Sequence, residues 1–215
     1  MALPSAPDSP PTGRRKAQLE ATRAALLEVA VETLIEKGAA GVTTLGVQQR
    51  AGVSRGALLH HFPTRAALLS ATVERLVAQN EAALWAVKAE TPDDADALTF
   101  AIRVLGRAAA SPSYLAELEL WALSRTDPDL RDTLRGAERA ALEDRTRVLA
   151  ALFGPLADQP GGALVIELSI ELARGMALSG LLRSDPARHQ AQLDRWAEAA
   201  KLIMQGRQAP QGGAT

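Results

Sequence analysis

The side chains with the most specific chemistry gather in residues 51–69, AGVSRGALLHHFPTRAALL: a serine, two arginines, two adjacent histidines and a proline lie between two apolar helical patterns. Three uses fit such a set: a catalytic histidine pair, a metal site, or a surface that lies against something charged. On a helix, neighbours such as His60 and His61 point about 100° apart, so their rings do not converge on one ion. The remaining histidine is the distant His189, and no Asp or Glu stands one helical turn from the pair. The ligand spacing that metal sites need is therefore absent. G-x-S-x-G is missing, and Gly38-Ala39-Ala40-Gly41 is not followed by the Lys-Ser/Thr of a phosphate loop. The expectation is a protein that is not an enzyme and carries no metal or cofactor.

The third use demands elements that hold the charged groups in place. Thr43 suits the N-cap of a helix over 44–51, Gly52 and Val53 make a tight turn, and Ser54 caps a second helix reaching about His61. Two short helices joined this way predict a helix-turn-helix. Val47, Ala51, Val53 and Leu58 supply its inner face, while Arg55, Gly56, Ala57, Leu59 and His60 face outward from the second helix. Residues so placed enter the major groove of duplex DNA, where an arginine can grip guanine and an alanine can touch a thymine methyl. Arg65, with the N–H groups of a helix starting near Thr64, makes a phosphate site, and Thr43 or Thr44 offers another.

Composition and charge agree with a helical, DNA-facing chain. Among 215 residues, 47% are hydrophobic but 3% aromatic, and there is no cysteine, which removes disulfides, thiolate zinc sites and cysteine nucleophiles. Residues 1–80 carry nine Lys and Arg against six Asp and Glu, whereas the remainder carries fifteen against nineteen. An excess chiefly from Arg14, Arg15, Lys16, Arg23, Arg50, Arg55 and Arg65 suits an anionic partner or a solvated face. Neither a leader sequence nor a bilayer-length apolar run is legible, so a soluble cytoplasmic protein without a membrane partner is expected.

Pro- and Ser-rich residues 1–13 and residues 207–215 read as disordered. Between them the apolar spacing predicts helices over 14–37, 44–51, 54–61, 64–90, 93–110, 112–125, 128–153, 162–183 and 186–205, interrupted at Gly and Pro. With no period-two alternation, the fold class is all-α, about nine helices.

Residues 22–70 resemble the DNA-binding signature of the TetR (tetracycline-repressor) family. Gly38, Thr43, Ala51-Gly52-Val53-Ser54, Leu58, His61-Phe62 and Arg65 stand in the family's order. The resemblance implies a homodimeric, ligand-responsive repressor on a pseudo-palindromic double-stranded operator. It also implies a helix-turn-helix domain over 14–63 and a ligand-binding and dimerisation domain over 64–206. By it, Arg55, Gly56, Ala57 and His60 meet bases or nearby backbone, and Thr43, His61 and Arg65 meet phosphates; His61 equally suits packing at the domain edge. The family usually has Ala at position 48 and Tyr at position 59; this chain has Gln48 and Leu59. Leu59 cannot bond a phosphate, which keeps open a helical small-molecule-binding protein without sequence-specific DNA binding.

In the larger domain two readings fit Trp85, Phe100, Tyr114, Trp121 and Met176: core packing, or by analogy with the family the lining of a cavity for a largely apolar effector. Arg103 and Arg107 suit an acidic ligand or a solvated face. Leu164, Leu168, Leu172, Leu178, Leu182, Leu193, Trp196 and Ile203 give the last two helices more apolar width than one layer covers. The resemblance makes these the dimer helices, packed as a four-helix bundle. Glu167, Glu171 and Arg174 form a polar line there, as a solvent edge or a device for dimer register.

Overall fold

A computed structural model describes residues 12–92, 96–183 and 185–208. Among them are nine α-helices: α1 (Thr12–Gly41), α2 (Thr44–Ala51), α3 (Arg55–His61), α4 (Arg65–Glu90), α5 (Ala97–Ala108), α6 (Pro112–Leu123), α7 (Pro128–Phe153), α8 (Gly162–Gly180) and α9 (Pro186–Gln208). A 3₁₀ turn, Gly154–Leu156, follows α7, and no strand occurs among the described residues. The all-α fold read from composition and spacing is the one observed. Of the arm expected at 1–13, Thr12 and Gly13 open α1 and the rest lies outside the described residues; of the tail expected at 207–215, Arg207 and Gln208 instead close α9, and the rest likewise lies outside the described residues.

Helix starts follow from local chemistry. Ser111, Asp127 and Asp185 each precede a proline, and their side chains accept from the N–H groups of Tyr114 (3.3 Å), Leu130 (2.9 Å) and Arg188 (3.0 Å). Proline at the first helical position gives up an N–H that had no partner, so each X-Pro pair is a start signal. Three helices end earlier than their apolar pattern: α5 at Ala108 rather than 110, α6 at Leu123 rather than 125, and α8 at Gly180 rather than 183.

The chain divides into two compact units, residues 1–72 and 73–215, with the boundary inside α4. In the first, Leu26, Val31 and Leu34 of α1 are buried, as are Val42, Val47, Leu58, Phe62 and Leu68. Gly38 interrupts α1 at φ 69°, freeing Ala39 and Val42 to turn into this core. Arg65 explains why the start of α4 belongs here: its Nε donates to the Val42 carbonyl (3.2 Å) and its Nη2 to the Ala39 carbonyl (3.3 Å).

In the second unit α5 is the central helix and packs on both α8 and α9. Leu98, Ala101, Ile102 and Val104 join Val148, Leu152, Phe153, Val165 and Ala197 in one buried cluster. At Gly106, an added Cβ would sit 2.5 Å from Leu193 Cδ2 and 2.8 Å from Cδ1. Gly106→Ala is therefore expected to lower stability by about 1–3 kcal/mol, the usual cost of overpacking. Denaturant unfolding measures it; an unchanged midpoint would mean that Leu193 swings aside freely.

Candidate functional site

The first unit builds a helix-turn-helix from its caps upward. Thr43 Oγ1 accepts from Gly46 N at 3.0 Å, fixing the start of α2, and Ser54 Oγ accepts from Ala57 N at 3.1 Å, fixing the start of α3. Between them Gly52 is left-handed, φ 65° and ψ 26°, a backbone that favours glycine. Its N–H bonds Gln49 O (3.2 Å) and the Val53 N–H bonds Gln48 O (3.3 Å), so the backbone of Gln48 helps close the turn. Leu58 and Phe62 turn into the core, while Arg55, Gly56, Leu59 and His60 are exposed and Ala57 and His61 half-buried.

Several cations counted toward an anionic partner are spent inside the unit. Arg50 Nη1 lies 2.5 Å from Glu36 Oε2 and its Nη2 3.0 Å from Glu32 Oε2, tying α2 to α1. That bond holds the Glu36 carboxyl below its ordinary range. Arg23 stacks over the Phe62 ring at 5.4 Å. Burial, followed by the nearby charges of His60 and Arg23, pushes the His61 imidazole down and so favours its neutral form. The His60 and His61 rings meet edge to face with centroids 5.3 Å apart. Thr44 is the first residue of α2 and half-buried, and Arg65 is exposed but committed through two of its donors to the Val42 and Ala39 carbonyls.

The second unit holds a cavity of about 110 Å³ walled by α4, α5, α6, α7 and α8. Tyr114 and Trp121 line it, whereas Trp85, Phe100 and Met176 belong to the core cluster or pack against it. Trp85 Nε1 donates to Glu81 at 3.4 Å, and Lys88 stands over its ring at 4.9 Å. Sequence reasoning missed most polar residues of the lining, Asn80, Glu81, Glu117, Asp144 and Arg145. The signal was present: Tyr114, Glu117 and Trp121 stand three and four apart on α6, and Asn80 stands seven after Val73 and four before Leu84 on the buried stripe of α4. Glu117 is 4% exposed. Its Oε2 accepts from Asn80 Nδ2 (2.5 Å), and its Oε1 lies 3.5 Å from Arg145 Nη2. Burial pushes its carboxyl up to about 7, although Arg145 pulls the other way.

On α8 and beyond, Leu168 and Leu178 are exposed, and Leu182 is 90% exposed just past the helix end. Two further leucines share that character, Leu181 at 64% and Leu202 of α9 at 68%. Leu164, Leu172, Trp196 and Ile203 are half-buried, and Leu193 is buried against Gly106. Trp196 Nε1 donates to Ser169 Oγ at 2.7 Å, joining α9 to α8. Arg103 pairs with Asp194 (2.9 Å), Arg107 donates to Thr91 (2.8 Å), Arg174 pairs with Glu171 (2.7 Å) and Glu167 is exposed. No group of three or more metal-ligating side chains occurs among the described residues, and no described helix is long and apolar enough to cross a membrane.

Capped α2 and α3 with an exposed outer side on α3 define the helix-turn-helix class of protein. A family profile described as "Bacterial regulatory proteins, tetR family" matches residues 26–72. An HTH-type transcriptional regulator of Mycobacterium tuberculosis is 34% identical over 133 residues, 60% of this chain and 68% of that protein. The HTH-type transcriptional regulator CymR of Pseudomonas putida is 29% identical over 181 residues, 82% of this chain and 89% of its own. The multidrug binding protein EbrR, solved with imidazole, shares the fold at a TM-score of 0.55 and 24% identity, over 81% of this chain and 93% of that one. A TetR-family member from Streptomyces coelicolor does so at 0.52 and 22%, over 81% and 97%. The chain belongs to the TetR family of transcriptional regulators.

Proposed function

We propose that the chain acts in the cytoplasm as a homodimeric repressor, holding a two-fold-related DNA site and releasing it when a small molecule enters the second unit. No residue has a catalytic role in this reading. The observation that carries it is the outer side of α3. Arg55, Gly56, Leu59 and His60 are exposed on a helix whose opposite side is fixed by Leu58 and whose two flanks are capped. Arg55 reads bases from there, with Gly56 and Ala57 allowing close approach, and Thr43, Thr44, His61 and Arg65 contact the backbone. Exposed Leu168, Leu178, Leu182 and Leu202 supply apolar surface for a second copy, the usual partner of an unpaired helical face in a closed dimer. The same-fold protein EbrR holds small molecules, which supports the cavity as the effector site. α4 contributes both Arg65 and four cavity residues, Val77, Asn80, Glu81 and Leu84. An effector that prefers one arrangement of α4 shifts the population and lowers operator affinity by its differential affinity for the two.

Selection from a random duplex pool at two salt concentrations tests this. Recovery of an inverted repeat is expected; retention without a motif, lost at the higher salt, would leave phosphate attraction alone and overturn the operator reading. On the recovered duplex, Arg55→Ala should cost about 1–3 kcal/mol and relax preference at one base pair. Arg65→Ala should weaken every sequence alike and reduce the salt slope by about 1. Equal losses on all sequences for both variants would refute this division of roles.

A further inference from the structure

Among the described residues five buried side-chain atoms have no hydrogen-bond partner within the chain: Asn80 Oδ1, Trp121 Nε1, Arg131 Nε, Glu138 Oε1 and Arg174 Nε. Three of them belong to residues lining the cavity, Asn80, Trp121 and Arg174. Glu138 is joined to the lining through Arg145, whose Nη1 lies 3.0 Å from Glu138 Oε2. Arg131 and Glu138 line a neighbouring hollow that shares Trp121 with this cavity. Buried polar atoms are nearly always bonded, so the unpartnered atoms of Asn80, Trp121 and Arg174 mark the cavity as a place where a polar guest completes the bonding.

The charges around the cavity decide what that guest is. Arg145 serves two carboxylates, Glu138 at 3.0 Å and Glu117 at 3.5 Å, so the nearly fully buried Glu117 has the weaker share. Arg174 of α8 is committed to both oxygens of Glu171, at 2.7 and 2.8 Å, and to the Trp121 ring, 4.5 Å from its guanidinium. From α4, Glu81 accepts from Trp85; from α7, Asp144 pairs with Arg147 at 2.6 Å; α6 adds the neutral Tyr114. α5 contributes apolar lining, Leu105, Ala108 and Ala109. The three acidic lining residues thus outnumber the two arginines, and Glu117 is the one of the three that is buried from solvent while sharing its arginine. A buried charge is costly until paired, so an entering cation gains there and an entering anion loses.

Hydrogen bonding narrows the cation further. The Asn80 amide donates its Nδ2 to Glu117, and its own Oδ1 is buried without a donor, so one residue pair of the lining holds both a carboxylate and an unfilled acceptor. A cation with N–H groups satisfies both, which a quaternary ammonium cannot do. We propose that the cavity recognises a protonated primary or secondary amine on a compact apolar body, its N–H groups donating to Glu117 and to Asn80 Oδ1. This rests on the cavity being the effector site. The amine holds Glu117 ionised, and because burial places that carboxyl at about 7, affinity for the amine falls as pH drops through neutrality.

Calorimetry on the full chain with benzylamine, benzyl alcohol and benzoate, at about pH 8 and about pH 6, tests the proposal. At the higher pH benzylamine should bind at least about tenfold more tightly than the alcohol, with benzoate weakest, and should lose most of that preference at the lower pH. Glu117→Gln should abolish the preference; if that variant fails to fold, Asn80→Leu should reduce it in the same direction. Benzoate binding as well as the amine, an amine preference indifferent to pH and to both substitutions, or no binding by any of the three would each overturn the proposal. Retention of the selected duplex separates this from the effector reading. If the alcohol or benzoate releases DNA and the amine does not, the amine proposal falls and the effector site stands. If the amine binds as expected and releases nothing, the proposal stands and the effector role falls.

Discussion

A Glu117→Gln variant is expected to be more stable than the parent at about pH 8, by up to about 3 kcal/mol, with the advantage shrinking below about 1 kcal/mol near pH 5. The folded-state carboxyl titrates at about 7, above its ordinary value of 4.5. Between those two values the folded chain holds a proton that the unfolded chain has released, so raising the pH draws stability away until the folded carboxyl has also ionised. Above that the parent carries a buried charge with the weaker share of Arg145, and the glutamine keeps the shape without the charge. Glu138→Gln makes the opposite case. It hands Arg145 to Glu117 alone, so the parent's loss of stability toward high pH should become smaller. Urea unfolding of the three proteins at several pH values measures this. A parent whose stability does not fall relative to Glu117→Gln between about pH 5 and pH 8 would show that Glu117 is ionised throughout that range.

How much of this was legible depended on how local the determining physics was. The boundaries of α2 and α3 came directly from Thr43, Gly52 and Ser54, because a cap or a left-handed turn is settled within four residues. Starts at Pro112, Pro128 and Pro186 were legible for the same reason. The end of α8 was not: Leu181 and Leu182 continue its apolar run, and nothing in that run says that they face outward. Charge was the least local property. Arg50 and Arg23 add to the basic excess in the sequence, but Glu32, Glu36 and the Phe62 ring, which engage them, come from other elements. The cavity shows both cases. Tyr114 and Trp121 stood out as large amphipathic side chains, and Glu117 shares their face of α6 by spacing alone. That it meets Asn80 of α4 and Arg145 of α7 is a fact of tertiary packing that no single helix displays.

Leu58→Ala is expected to abolish retention of the selected duplex, where Arg55→Ala weakens and broadens it. α3 has seven residues, too few to persist as a helix without packing. Leu58, 1% exposed, is its buried anchor, with Phe62 closing the far end. Truncating such a leucine costs about 2–5 kcal/mol, a large part of what holds a small unit folded. The outward side chains remain chemically intact, so the loss would come from their positions alone. Discrimination is direct because Trp85, Trp121 and Trp196 all lie in residues 73–215, and tryptophan emission reports that unit only. Hydrogen exchange should show lost protection across residues 42–69, while emission keeps its folded maximum. Retention within about threefold of the parent, with protection across residues 42–69 unchanged, would mean that α3 is held by contacts other than its leucine. A shifted emission maximum would instead mean that the damage spreads beyond the helix-turn-helix, and the assignment of Leu58 to that unit's stability alone would fall.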